Sequence, residues 1–124
     1  MGQCLLTQKD LLPKYTALGI ATGCGVNGGD CSLSVSGNYK VVVVVGGLGS
    51  IINGGDCSAS CTSTTGTVTF LELKRANGAP GATVSYEDMA YWIITDFKGG
   101  TITVSMSAYS NRYNNYCACA VGIN

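Results

Sequence analysis

The stretch Thr101-Ile102-Thr103-Val104-Ser105-Met106-Ser107 alternates strictly, with Ile102, Val104 and Met106 on one side and hydroxyl-bearing residues on the other. A period of two is the signature of an extended strand with one face on a core and the other in solvent. Cys31-Ser32-Leu33-Ser34-Val35-Ser36 repeats the pattern, so both segments read as half-buried antiparallel strands. Working outward, Tyr39 to Val45, Thr67 to Lys74, Ala82 to Tyr86, Tyr91 to Phe97 and Tyr116 to Ile123 are further short β-type runs, and a segment around Ile51 adds another. About eight strands at roughly 8 to 12-residue spacing predict an all-β, single-domain, jelly-roll-like antiparallel sandwich. The 18 glycines against two prolines mark the turns between them.

The sandwich is expected over residues 21–124, with residues 1–20 as an N-terminal arm or connector. Leu5, Leu6, Leu11, Leu12 and Leu18 suit a helix better than a strand, and Pro13 limits any helix there to a turn or two. Such a segment either caps the sandwich or reaches a neighbouring subunit.

Composition narrows the function. Only 11% of the 124 residues are charged and the formal net charge is zero, so little repulsion keeps copies apart. Lys74-Arg75 is the one adjacent basic pair, which leaves no basic stripe for nucleic acid. No cleavable signal peptide is expected, because Gln8, Lys9, Asp10, Pro13 and Lys14 interrupt the first segment. The apolar run Val41 to Ile52 is broken by Gly46, Gly47 and Gly49, and no membrane insertion is expected.

Seven cysteines, Cys4, Cys24, Cys31, Cys57, Cys61, Cys117 and Cys119, are the main chemical resource. Chains of this size rich in thiols use them as disulfide frameworks, and an odd number leaves at least one free or paired with another molecule. All seven are candidate crosslinks. Asn-Gly-Gly-Asp-Cys-Ser occurs at Asn27 to Ser32 and again at Asn53 to Ser58, a repeat that reflects either biased composition or, the favoured reading, two corners bringing Cys31 and Cys57 together. Cys57-x3-Cys61 and Cys117-x-Cys119 are not zinc knuckles, although two-residue spacing puts Cys117 and Cys119 on one face of a strand. No metal, cofactor or catalytic residue is assigned. With no histidine to act as base, nucleophilic catalysis lacks its usual partner. Glu87-Asp88 reads as a solvated corner, and Val41 to Val45 before Gly46-Gly47-Leu48-Gly49 as a buried strand and turn rather than a dinucleotide site. The valine run is expected either to be buried on both faces or to form an edge open to another chain. Tyr109, Asn111, Tyr113, Asn114, Asn115 and Tyr116 read as a polar aromatic loop.

The arm bearing Cys4, a cysteine ahead of the sandwich at Cys24, Ser36-Gly37-Asn38-Tyr39-Lys40-Val41 and a cysteine in the final strand at Cys117 or Cys119 together resemble the Ena family of bacterial endospore appendage subunits. The family's arm usually carries adjacent cysteines, whereas Cys4 stands alone. The resemblance implies a jelly-roll subunit that pairs strands laterally and crosslinks through its arm. Cys4 would be the donor, and Cys24 with Cys117 or Cys119 the acceptors. The expected function is a non-enzymatic structural subunit, partnered by copies of itself in a disulfide-stapled filament outside the cell or on a spore surface. The alternatives are a virion component, such as a capsid decoration or fibre-tip protein, and a small carbohydrate-binding module using the tyrosine-rich loop.

Overall fold

A computed structural model describes residues 12–50, 57–76, 86–108 and 113–124. Among the described residues there is no helix. Eight strands run as β1 (Tyr15–Val26), β2 (Gly28–Val35), β3 (Tyr39–Ser50), β4 (Cys57–Ser63), β5 (Thr67–Ala76), β6 (Tyr86–Phe97), β7 (Gly100–Ala108) and β8 (Tyr113–Ile123). They form two antiparallel sheets in a sandwich-like arrangement, one ordered β1-β8-β3-β6-β5 and the other β2-β7-β4.

The two strands with the clearest alternation, β2 and β7, lie side by side, with Cys31 opposite Val104 and Leu33 opposite Ile102. Their apolar sides face inward as Cys31, Leu33, Val35, Ile102, Val104 and Met106, against Val42, Val44, Trp92, Ile94 and Ala118 from the larger sheet. Gly46 is part of this fit. A Cβ there would lie 2.7 Å from a Val104 methyl and 2.8 Å from the Met106 sulfur, so the missing side chain lets the sheets approach. The chain passes from the larger sheet to the smaller through Asn27 and Gly28, with φ of 64° and 94°. That is the φ pattern of a type I′ turn, which Asn-Gly favours.

Several sequence expectations change. The arm ends earlier than residue 20, because Tyr15 already pairs with Ile123 and the Lys14 and Asn124 backbones exchange hydrogen bonds of 2.8 and 2.9 Å. The valine run is neither edge nor doubly buried. Strand β3 is central, flanked by β8 and β6; it buries Val42 and Val44 and leaves Val41, Val43 and Val45 half-buried on the outer face. It also continues through Gly46, Gly47 and Gly49 instead of turning there. Glu87 and Asp88 belong to β6, and Asp88 is only 3% exposed. Tyr113 to Tyr116 begin β8 rather than forming a loop, and alternation sends Asn114 and Tyr116 inward and Asn115 outward. Tyr109 and Asn111 lie outside the described residues, as do Ile51 and the run from Ala82 to Ser85.

The two ends of the sandwich differ. Hydroxyl and amide side chains tie down the turns at the end near Lys14 and Asn124. Thr65 Oγ1 donates to the Gly99 carbonyl at 2.6 Å and accepts from Lys98 N at 2.9 Å, and Thr64 Oγ1 accepts from Thr101 N at 3.0 Å. Asn124 Oδ1 accepts from Lys40 N at 2.9 Å while its Nδ2 donates to the Asn38 carbonyl at 3.0 Å. The opposite end carries the Val26–Gly28 turn and the strand ends at Ser50, Ala76 and Ala108.

Candidate functional site: a thiol-flanked trough

Strand pairing assigns each outward residue of the five-stranded sheet to a row. Thr22, Cys117, Gly47, Met89 and Lys74 form one row, and Cys24, Asn115, Gly49 and Glu87 the next. Gly47 and Gly49 present only backbone, so the outer face sinks there into an open trough of about 730 Å³ lined by Cys24, Cys117, Met89, Glu87 and Asn115. Cys24 and Cys117 are exposed thiols on neighbouring strands. They sit one row apart, a diagonal rather than a facing pair, and both are free.

Tyr116 supports the floor from inside. It lies opposite Gly23, and a Cβ on Gly23 or Gly29 would fall 2.4 or 2.6 Å from its ring. The ring therefore occupies the space two glycines vacate, an aromatic covering that fixes the Cys24 strand against the Cys117 strand. Beyond the trough, Arg75 Nε donates to Asp88 Oδ1 at 2.9 Å across the β5–β6 pair. The Cys57 thiol adjoins this pair: burial first, then the Asp88 charge and its hydrogen bond, push it up to about 11.

The thiols thus fall into two groups. Cys119, two residues from Cys117 on the same outer face as expected, is half-buried, and burial with the adjacent Cys117 raises its pKa. Cys31, Cys57 and Cys61 point inward. Cys31 is 4% exposed and its pKa is raised by burial, then by Cys117 and Asp30; burial also pushes Cys61 up to about 11. Raised values leave these thiols protonated and poorly nucleophilic near neutrality.

The Cys31–Cys57 corner pairing is not formed, since both thiols are free. Cys31 and Cys61 both pair with Val104 from opposite sides. They are therefore two strand spacings apart, about 9–10 Å, outside the ~7 Å a disulfide spans. Cys57 sits farther along β4, opposite Ala108. Among the described residues, no group of three His, Cys, Asp or Glu converges as metal ligands. Cys4 lies outside the described residues.

Pattern reasoning placed Cys117 and Cys119 on one face but missed the trough, because Gly47 and Gly49 read as turn residues. The usable signal was the period-two spacing of Gly47 and Gly49 in phase with Val41, Val43 and Val45. No protein-family model, curated protein or solved structure matches this chain.

Proposed function

We propose that this chain is a non-enzymatic structural subunit that assembles with copies of itself into a filament, held by edge-strand pairing and intersubunit disulfides. The carrying observation is the placement of Cys24 and Cys117, two exposed thiols beside a trough, at the end of the sheet opposite to where the N-terminal segment leaves at Lys14. From Tyr15 to Cys24 is nine residues of strand, roughly 30 Å. Cys4 precedes Lys14 by ten residues, which span at most about 36 Å. A subunit stacked end to end on the next therefore has the reach to deliver Cys4 to its neighbour's Cys24 or Cys117. Such a contact is heterologous, and where the rotation between successive subunits does not close a ring it builds an open polymer.

Edge pairing falls to the smaller sheet. Both edges of the larger sheet carry irregularities, between Ala17 and Gly19 in β1 and between Phe70 and Glu72 in β5, and bulges discourage pairing. Strand β4, Cys57–Ser63, pairs with β7 without a register shift and contains no charge or proline. Its free side is a regular backbone edge suited to strand addition. The filament reading places the assembly outside the cell or on a spore surface, where oxidation preserves disulfides.

The test is non-reducing electrophoresis of the oxidised full chain and of a Cys24→Ser/Cys117→Ser double variant. A reductant-sensitive ladder that the double variant loses, with its circular dichroism intact, supports the reading. A wild-type monomer, or an unchanged ladder in the variant, sinks it.

A further inference from the structure

Above the trough, the outer face of the five-stranded sheet is apolar across β1, β8, β3 and β6, and no described residue covers it. One row reads Val121, Val43 and Ile93, and the next Ile20, Cys119, Val45 and Tyr91, across β1, β8, β3 and β6. Ile20 is 76% exposed, Met89 43% and Val121 36%. An antiparallel sheet with one free face ordinarily turns polar residues outward. The smaller sheet here follows that rule, with Ser32, Thr103, Ser105, Ser60 and Thr62 on its outer face. The larger sheet inverts it in the Val43 and Val45 rows across β1, β8, β3 and β6.

We infer that this face is a second, non-covalent contact between copies of the chain, packed sheet against sheet about a twofold axis near Val43 and Val45. The inference rests on the self-assembly reading above and adds a lateral contact to the end-to-end one. Size argues for a second copy. Four strands about 4.8 Å apart and the eight rises from Val41 to Gly49 give a face of about 19 by 27 Å. Its footprint is roughly 520 Å² before corrugation, about two-thirds of the ~800 Å² each partner contributes to a standard interface. It lies at the upper end of the ~300–600 Å² patch found on a monomer.

Charge argues the same way. The two central rows carry no charge on β1, β8, β3 or β6. The nearest charges are Glu72 and Lys74 on β5, a mutually neutralising pair at 3.6 Å whose side chains are 54% and 67% exposed. An uncharged centre with charge at its margin is interface anatomy, and a twofold sets it against an identical, equally uncharged surface. Side chains on β-sheets interdigitate when faces pack at about −30°. Such pairing makes each filament two rows of subunits thick and leaves the Cys24–Glu87 row at the rim of the contact.

Sedimentation equilibrium of the full chain, kept in reductant so that no disulfide contributes, decides the matter. In a Ser60→Lys background, where the charge blunts the β4 edge and removes strand addition, the expected mass is twice that of the chain. It falls to the monomer value when Ile93→Lys is added, and also with Val43→Lys, which serves if the first combination misfolds; each is checked by circular dichroism. A reduced wild-type chain that stays monomeric to 100 µM-order concentrations, as it would if its own residues 1–11 covered the face, overturns the inference. So does a folded chain carrying Ile93→Lys or Val43→Lys in that background that remains dimeric. The oxidised ladder of Ile93→Lys separates the two readings: it persists if only the lateral contact is lost, whereas failure of the end-to-end reading shows as no ladder in wild type.

Discussion

The Cys117 sulfur lies 3.0 Å from where a Cβ on Gly47 would sit. The thiol thus leans over a glycine of the adjacent strand, and that glycine holds the trough open.

Gly47→Val fills this space. The thiol must rotate away, and its rate of maleimide labelling is expected to fall severalfold, while a change confined to the outer face leaves the melting temperature within a few degrees. Mass-spectrometric labelling kinetics at Cys117 check this. An unchanged rate would mean that the glycine does not govern access.

Gly23→Ala is the opposite case, because the added methyl meets the Tyr116 ring at 2.4 Å. Overpacking of this kind costs about 1–3 kcal/mol. A Gly23→Ala/Tyr116→Leu double variant should recover part of the loss, since contacting residues are coupled. Urea titrations of the single and double variants measure the coupling.

Arg75→Leu leaves the Asp88 carboxylate, whose side chain is 4% exposed, without its ion-pair partner, and is expected to cost about 3–5 kcal/mol. Arg75→Leu/Asp88→Leu should cost less than Arg75→Leu alone, because the buried charge goes with its partner. Denaturant midpoints for the three chains decide it.

Cys57 and Cys61 make an alkaline prediction. Both thiols rise from an ordinary value of 9.0 to about 11 in the folded chain. Below 9 both states hold the proton; between 9 and 11 the unfolded chain releases it first, so stability is present at neutral pH and is lost as pH rises through 11. Cys57→Ala/Cys61→Ala, compared with wild type in reductant, should show a flatter loss of urea midpoint from pH 8 to about pH 11.

The parts of this fold legible in the sequence are those where hydropathy contrast is high. Thr101 to Ser107 and Cys31 to Ser36 fell in strands because apolar and hydroxyl residues alternate without interruption; the expected total of about eight agrees in number only, since the segments around Ile51 and Ala82 to Ser85 lie outside the described residues while β1 and β4 were not anticipated. Strand β1 was hidden because its irregularity between Ala17 and Gly19 shifts the alternation partway along. Strand β4 does alternate, as Cys57, Ala59 and Cys61 against Ser58, Ser60 and Thr62, but its small side chains give weak contrast. Asp88 looked like a solvated corner since its partner, Arg75, is 13 residues away in sequence, and only the pairing of β5 with β6 brings them together. The same holds for the trough, whose glycines acquire meaning from the thiol on the neighbouring strand.

Thiols that join separate copies must form bridges between molecules. Equal amounts of ¹⁴N and ¹⁵N full-length chain, mixed in reductant, oxidised together and digested for mass spectrometry, test it most directly. Mixed-isotope disulfide peptides that pair Cys4 with Cys24 or Cys117 are expected. Disulfides found only within one isotope, or no disulfide at either exposed thiol, would contradict it.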